Sequence, residues 1–177
     1  MTFDRTFPAA ASGRAAAGDG VAELFRAHHL ALVRLALLML GDRTAAEDVV
    51  QDVYTRLHGR RGRIPDPPDE LLAYARASVL NACRTLLRRR ALTRRLVPAP
   101  PPVWSAESDA LIADDRRRVL KALAGMPPRQ REAIVLRYYL DLSEAEMAAA
   151  MGVRPGTVKS TLARGLARLR ERYEEER

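Results

Sequence analysis

A proline-rich segment interrupts the chain and limits the folds open to it. Residues 98–109 read PAPPPVWSAESD, and proline removes an amide donor and fixes φ, so this segment cannot be one continuous helix. In the segments on both sides of it, apolar residues recur at helical spacing. No stretch alternates between apolar and polar residues convincingly enough to be a strand. We therefore predict an all-α protein of two small helical domains, over residues 21–96 and 110–177, with a linker over 97–109. Residues 1–20, rich in Ala and Gly, are predicted to be a disordered tail.

Local start and stop signals define helices in the first domain. Gly41 follows the apolar run ALVRLALLML and can take the left-handed conformation that ends a helix. Thr44 lies three residues before Glu47, which is capping-box spacing and predicts the start of the second helix. The third helix is predicted to run to about Arg90, with Cys83 buried on its apolar stripe. Because Cys83 is the one cysteine, no internal disulfide can form, and a reducing cytoplasm is the natural compartment.

The second domain is predicted to have four helices and to contain a helix-turn-helix. Ser143 and Glu146 form a second capping-box pattern that opens a short helix. Small Ala148, turn-forming Gly152 and aliphatic Val158 follow at the spacing typical of the motif. In such motifs the N-terminal part of the second helix enters the major groove of DNA.

The helix after this turn combines an apolar stripe with a basic face. The stripe is predicted to contain Val158, Leu162, Leu166 and Leu169. The hydroxyl and basic groups predicted to reach bases and phosphates on the other side are Thr157, Lys159, Ser160, Thr161 and Arg164. The formal net charge of +8 also indicates an anionic partner. An ordinary αα-hairpin with a solvated basic face is the alternative.

The second helix of the first domain carries a compact polar patch. Asp48, Gln51 and Asp52 lie at i, i+3 and i+4, so they share one helix face. Since the neighbouring valines fall on other sides, the patch is predicted to be exposed and able to dock a basic protein surface. The alternative is an ordinary solvated helix face, and the spacing of the three residues by itself favours that interpretation.

The third helix ends in a run of arginines without a compensating acid. RTLLRRRALTRR contains Arg84, Arg88, Arg89, Arg90, Arg94 and Arg95. Nucleic-acid phosphates are the obvious counter-charge. The alternative is a solubilising helix end that the helix dipole also favours.

Taken together, residues 21–172 resemble the two-domain bacterial RNA polymerase sigma factors of the extracytoplasmic-function type. AEDVVQDVY resembles the family's polymerase-binding helix, LLAYARASVLNACRTLLRRR its −10 recognition helix, and residues 126–170 its −35-binding domain. The resemblance implies binding to core RNA polymerase through Asp48, Gln51 and Asp52. It implies promoter DNA contacts at the −35 element by Arg154, Thr157, Lys159, Ser160, Thr161 and Arg164. It implies contacts at the −10 element, where one base would be flipped out, by Arg60, Arg61, Arg63, Asn81, Arg84 and Arg88. An anti-sigma factor is a further implied partner.

Two other functions stay open at this point. A stand-alone helix-turn-helix regulator would bind a palindrome as a dimer without polymerase. An enzyme acting on nucleic acid would need metal-binding carboxylates, for which Asp48 and Asp52 are the candidates. We expect no catalytic set, metal site or cofactor, since the histidines and Cys83 lack ligand spacing. We also expect no signal peptide and no membrane insertion, because the longest apolar run is short and contains Arg34.

Overall fold

The computed structural model describes residues 12–60, 64–65, 67–93 and 114–175. The all-α prediction is confirmed for this part of the chain, which contains helices and no strand. The helices are α1 (Ser12–Leu40), α2 (Arg43–Gly59), α3 (Pro68–Thr93), α4 (Asp114–Ala124), α5 (Pro128–Tyr138), α6 (Glu144–Met151) and α7 (Pro155–Glu175). The predicted linker lies outside the described residues.

Helices α1–α3 form the N-terminal domain around an apolar core. Leu32, Leu35 and Met39 of α1 are fully buried, as are Val53 of α2 and Val79 of α3. Burial of each such side chain stabilises the folded state by about 1.5–3 kcal/mol relative to leaving it exposed to water. These contacts hold α2 and α3 against α1, with their polar faces outward.

Helices α4–α7 form the C-terminal domain, in which α5 and α7 pack closely. Leu136, Met147 and Val158 are fully buried between α5, α6 and α7. Gly165 of α7 permits a close approach, because a Cβ at this position would lie 3.2 Å from the carbonyl oxygen of Gln130. The position of α7 is therefore fixed by packing along one side.

Several predicted helix ends are confirmed, and two differ. Gly41 has φ 71°, as its predicted stop role requires. The cap of α2, however, is Asp42, whose Oδ1 accepts from the backbone N–H of Ala45 at 3.1 Å. Thr44 lies inside the helix, which begins at Arg43, and the Glu47 carboxylate pairs with Arg43 at 2.8 Å.

The start of α1 also differs from the prediction. The helix begins at Ser12, within the segment predicted to be a disordered tail over residues 1–20. The sequence RAAAG in this segment contains three consecutive alanines, and alanine has the highest helix propensity. Residues 1–11 lie outside the described part.

The two domains are in direct contact. Helix α1 packs against both α4 and α5. At the C-terminal end of α1, a Cβ on Gly41 would lie 2.8 Å from the Cβ of Ala124. The guanidinium of Arg131 donates to the carbonyl oxygen of Met39 across the same boundary. The structure thus describes a closed arrangement of the two domains.

Candidate nucleic-acid interface

The α6–turn–α7 unit begins with the predicted capping box. Glu146 N donates to Ser143 Oγ at 3.3 Å, and Ser143 N donates to Glu146 Oε2 at 2.8 Å. The side-chain and backbone hydrogen bonds from Ser143 hold the pKa of Glu146 below its ordinary value. The first turn of α6 is thus closed by side chains, which fixes where the motif begins.

Gly152 makes the turn between the two helices. Its φ of 64° and ψ of 40° place it in the left-handed region, where glycine is favoured. Val153 N donates to Ala148 O at 3.1 Å, so the turn is tied to the last carbonyls of α6. Pro155 then starts α7, and fully buried Val158 anchors the helix in the angle between α6 and α7. The predicted helix-turn-helix geometry is therefore present.

The opposite side of α7 faces solvent. Its exposed side chains include Thr157, Lys159, Ser160 and Arg164, and Arg154 is exposed directly before the helix begins. Ser160 Oγ donates to Thr157 O at 3.1 Å, and Arg164 Nε donates to Ser160 O at 3.1 Å. These bonds lie along the helix surface, so both side chains can turn outward to a ligand without disturbing the core.

Thr161 does not lie on this exposed face. Its residue is only 8% exposed, and it lines the buried side together with Val158 and Gly165. Predicted stripe member Leu166 is instead 38% exposed. Helix α7 packs closely against Gln130 at this point. Small residues therefore face the core at the place where the apolar pattern predicted a leucine.

In the N-terminal domain, the polar patch of Asp48, Gln51 and Asp52 is exposed as predicted. Val50 and Val53 are buried on the other side of α2. Beside the patch lies an open groove of about 850 Å³ between α2 and α3. Residues of both charge signs line it, among them Asp48, Asp52, Arg56, Arg60, Asn81, Arg89 and Arg90. Basic and amide groups thus converge near the carboxylates of the patch.

The residues assigned by resemblance to the −10 element divide into three groups. Arg60, Asn81 and Arg88 are exposed. Arg61 and Arg63 lie outside the described residues. Arg84 is occupied, because its guanidinium bonds to Asn81 and to two groups of the C-terminal domain.

The partners of Arg84 were missed by reasoning from the sequence. Glu132 is 2% exposed and forms an ion pair with Arg84. A charged pair, Arg131 and Glu132, stands at the start of the apolar run AIVL in α5, and this is the one signal available. That signal indicates burial, but it does not identify a partner 48 positions away in the chain.

Among the residues that the structure describes, no group of three or more His, Cys, Asp or Glu could hold a metal ion. Within the same ranges, no helix combines the length with the apolar character that a membrane crossing requires. The Asp48 and Asp52 carboxylates therefore have no third ligand of this kind among the described residues.

Comparisons with known families match both domains. A model of sigma-70 region 2 matches residues 24–93. A model of sigma-70 region 4 matches residues 116–169. The first match spans α2, α3 and the groove, and the second contains the whole α6–turn–α7 unit.

Individual proteins are similar over most of the chain. RNA polymerase sigma-E factor of Streptomyces avermitilis is 37% identical over 155 residues, covering 86% of this chain and 84% of the relative. The ECF RNA polymerase sigma factor SigL of Mycobacterium tuberculosis is 33% identical over 159 residues, covering 85% and 88%. The fold is similar to that of the sigma factor RpoE solved with the anti-sigma factor NepR from Bartonella quintana. The TM-score is 0.64 at 24% identity, over 88% of this chain and 99% of that chain.

Proposed function

Because the chain belongs to the extracytoplasmic-function RNA polymerase sigma factors, we propose that it binds core polymerase and directs it to promoters with −10 and −35 elements. The observation that carries the proposal is the α6–Gly152–α7 unit, which presents a basic, hydroxyl-rich helix face to solvent. In this function the protein selects and opens DNA and performs no covalent chemistry itself.

The −35 element is assigned to α7. Arg154, Lys159 and Arg164 supply positive charge for phosphates, and Thr157 and Ser160 supply hydroxyls for base edges. Buried Val158 and the Gly152 turn support this assignment, because they fix the angle at which α7 leaves the domain. Thr161 is left out, since its side chain is buried.

The polymerase-docking surface is assigned to the patch of Asp48, Gln51 and Asp52 on α2. Two carboxylates and an amide on one exposed face fit a basic partner surface. The buried valines on the other side of α2 support the assignment, because they anchor α2 in the core of the domain and so keep its exposed face rigid.

The −10 element is assigned to the α2–α3 groove and the arginines beside it. Arg60 and Asn81 line the groove and are exposed. Arg84 and exposed Arg88 lie on the same helix as Asn81. Arg61 and Arg63 belong to the proposal through the family resemblance. A groove of mixed polarity fits a single base that has left the stack.

We also propose a cellular location and a regulatory protein partner for this chain. Both proposed partners, polymerase and DNA, are cytoplasmic in bacteria, so we place the protein in the cytoplasm. The Bartonella quintana relative is described with an anti-sigma factor, and we propose a partner of that kind for this chain on family membership.

Run-off transcription with core polymerase and a library of promoter fragments tests the function. We expect transcripts that depend on the protein, and a loss of at least about tenfold with Asp52→Arg, since a central docking charge is inverted. Glu70→Arg, at an exposed acid on α3, is the matched control and should transcribe as the wild type does. If no fragment gives a protein-dependent transcript, the proposal is wrong. Gel shifts separate it from a stand-alone regulator, which would bind its site without polymerase.

A further inference from the structure

The α2–α3 groove has an acidic end and a basic end. Asp48, Asp52, Arg56 and Arg60, the last of them the C-cap of α2, all line it and follow one another at intervals of four residues. Residues four apart share one helix face, so the charge changes sign along a single stripe. At a rise of 1.5 Å per residue the stripe is about 18 Å long. The groove therefore offers separate places for an anion and for hydrogen-bond donors.

Helix α3 runs antiparallel to α2 and adds neutral donors at the basic end. Arg90 of α3 donates to Asp42, the N-cap of α2, at 3.0 Å. The C-terminal end of α3 therefore lies beside the acidic end of the groove. Two earlier residues of α3, Tyr74 and Ser78, line the groove toward its basic end. A phenol and a hydroxyl thus accompany the two guanidiniums, and all of these groups can donate to an anion.

The positive charge at the basic end has no counter-charge among the described residues. Arg56 Nε donates to the backbone oxygen of Asp52 at 3.2 Å. Within the described ranges, the two Nη atoms of Arg56 and the whole guanidinium of Arg60 form no hydrogen bond or ion pair. The acids in the first turn of α3, Asp69 and Glu70, do not line the groove. An anion entering at this end therefore has no ion pair to displace there.

Asn81 lines the middle of the groove and is oriented by its neighbour. Arg84 Nη1 donates to Asn81 Oδ1 at 2.7 Å. Because that oxygen is engaged, the polar atom that Asn81 leaves for a ligand is Nδ2, which carries two N–H donors. The middle of the groove thus presents a donor suited to a phosphate or sugar oxygen.

A nucleoside 5′-triphosphate matches this order of charges. Its phosphates suit the guanidiniums of Arg56 and Arg60, which bind phosphate through paired N–H donors. Its base carries N–H donors at the other end of the molecule, where Asp48 and Asp52 are acceptors. Guanine presents two neighbouring donors that one carboxylate can accept together, whereas adenine presents a single amino group. The groove volume of about 850 Å³ lies within the range of small-molecule sites.

We propose that the α2–α3 groove binds a free nucleoside triphosphate, with guanosine preferred over adenosine, and that this ligand competes with the single strand of the −10 element. The competition rests on the proposed −10 function, whereas the binding itself does not. A DNA strand brings a base and phosphates to the same groove, so the two ligands exclude each other. By mass action, abundant nucleoside triphosphate should lower the apparent affinity for the strand.

Isothermal titration calorimetry on the full chain, without polymerase or divalent cations, tests the site. The probes are GTP, ATP and inorganic tripolyphosphate. Arg56→Ala and Arg60→Ala each remove a proposed phosphate contact, and Asp52→Asn removes a proposed acceptor of the base. Arg168→Ala, at an exposed position of α7, removes the same charge away from the groove. This control matters because the net charge of +8 attracts any polyanion, and such attraction responds alike to the loss of either arginine.

We expect GTP to bind more tightly than ATP, and ATP more tightly than tripolyphosphate. Arg56→Ala and Arg60→Ala should each weaken GTP binding by about tenfold, the loss of one charge-assisted contact, while Arg168→Ala stays within about twofold. Asp52→Asn should lower the ratio of GTP affinity to tripolyphosphate affinity, because it removes an acceptor and a repulsive charge together.

Three results would overturn the site as proposed. Absence of GTP binding, or an equal loss in Arg168→Ala, would show that the groove holds no such ligand. Tripolyphosphate bound as tightly as GTP would remove the nucleoside from the proposal. ATP bound as tightly as GTP would remove the preference for guanosine.

Fluorescence anisotropy with a labelled single-stranded DNA oligonucleotide of mixed sequence tests the competition. GTP should displace the oligonucleotide from the wild type, and about tenfold more GTP should be needed with Arg60→Ala than with Arg168→Ala for the same degree of occupancy by GTP. GTP binding without displacement would overturn the competition. Calorimetry needs no promoter, so a failed transcription assay with intact GTP binding would refute the proposed function and leave the nucleotide site standing.

Discussion

Gly165 of α7 lies directly against the backbone of Gln130 in α5, with room for a hydrogen atom and little more. A Cβ there would meet the Gln130 carbonyl oxygen at 3.2 Å and the Ile134 side chain at 3.3 Å. The glycine is therefore a packing requirement of the helix-turn-helix, in a helix where its conformational freedom is otherwise a cost.

Gly165→Leu should lower the free energy of unfolding by about 1–3 kcal/mol, because a backbone carbonyl cannot move aside as a side chain would. Urea unfolding followed by circular dichroism measures this. Gly156, in the first turn of the same helix, would have no atom within 4 Å of an added Cβ, so Gly156→Ala should be neutral or stabilise by up to about 1 kcal/mol. Equal destabilisation by both substitutions would contradict the packing argument.

The burial of Thr161 predicts which α7 residues matter for DNA. Arg164→Ala should weaken binding of the polymerase complex to −35 duplex DNA by about tenfold, as expected for one base or phosphate contact. Thr161→Val should stay within about twofold of the wild type, since the isosteric change lies away from the proposed contact face. Filter binding or anisotropy at fixed salt measures both. A larger loss with Thr161→Val than with Arg164→Ala would show that α7 faces DNA with its other side.

The features that could be predicted from sequence are local ones. Gly41, Gly152 and the Ser143–Glu146 box lie within a few residues of the backbone groups that they satisfy, so spacing alone identifies them. The exposed Asp48 patch follows in the same way, from the 3.6-residue period of one helix.

The features that could not be predicted depend on distant parts of the chain. Thr161 is buried because Gly165 lets another helix approach closely. Neither Thr161 nor Gly165 is apolar enough to be predicted as part of the buried face of α7. Glu132 meets Arg84 across a domain boundary, and no periodicity within α3 or α5 carries that information. At these positions, contacts between distant parts of the chain determine burial and pairing, and the local sequence pattern does not.

The cap of α2 gives a stability prediction. Asp42→Ala should cost about 1–2 kcal/mol, because the residue caps the helix and also accepts from Arg90 at 3.0 Å. Thr44→Ala, two residues further on in an exposed first turn, should cost less than about 0.5 kcal/mol. Thermal unfolding of the two variants compares them directly. The reverse order would restore Thr44 as the capping residue.

The lowered pKa of Glu146 predicts a pH dependence with a definite sign. A carboxyl whose pKa is lower folded than unfolded adds stability above its unfolded value, ordinarily 4.5, and loses it as pH falls through the folded pKa. Thermal unfolding of wild type and Glu146→Gln should therefore differ most at neutral pH and converge in acid. Glu144→Gln, at a position outside the capping box, serves as the comparison. A gap that widened toward acid would have the wrong sign.

Cys83 should be unreactive in the folded protein. Burial raises the pKa of its thiol to about 12, so both access and thiolate are lacking at about pH 8. Reaction with a chromogenic disulfide should proceed at the rate of unfolding and become fast in urea. Ala77→Cys, an exposed position on the same helix, should react at once under native conditions. Fast labelling of Cys83 without denaturant would mean that α3 is not packed as described.

Position 41 has two roles within a single residue. Its positive φ ends α1, and its missing side chain leaves the space that Ala124 of the other domain fills. An asparagine, which tolerates the left-handed conformation elsewhere, would end the helix here yet prop the two halves of the molecule apart. Helix termination and domain docking thus both depend on position 41, and a substitution that preserves the first can still abolish the second.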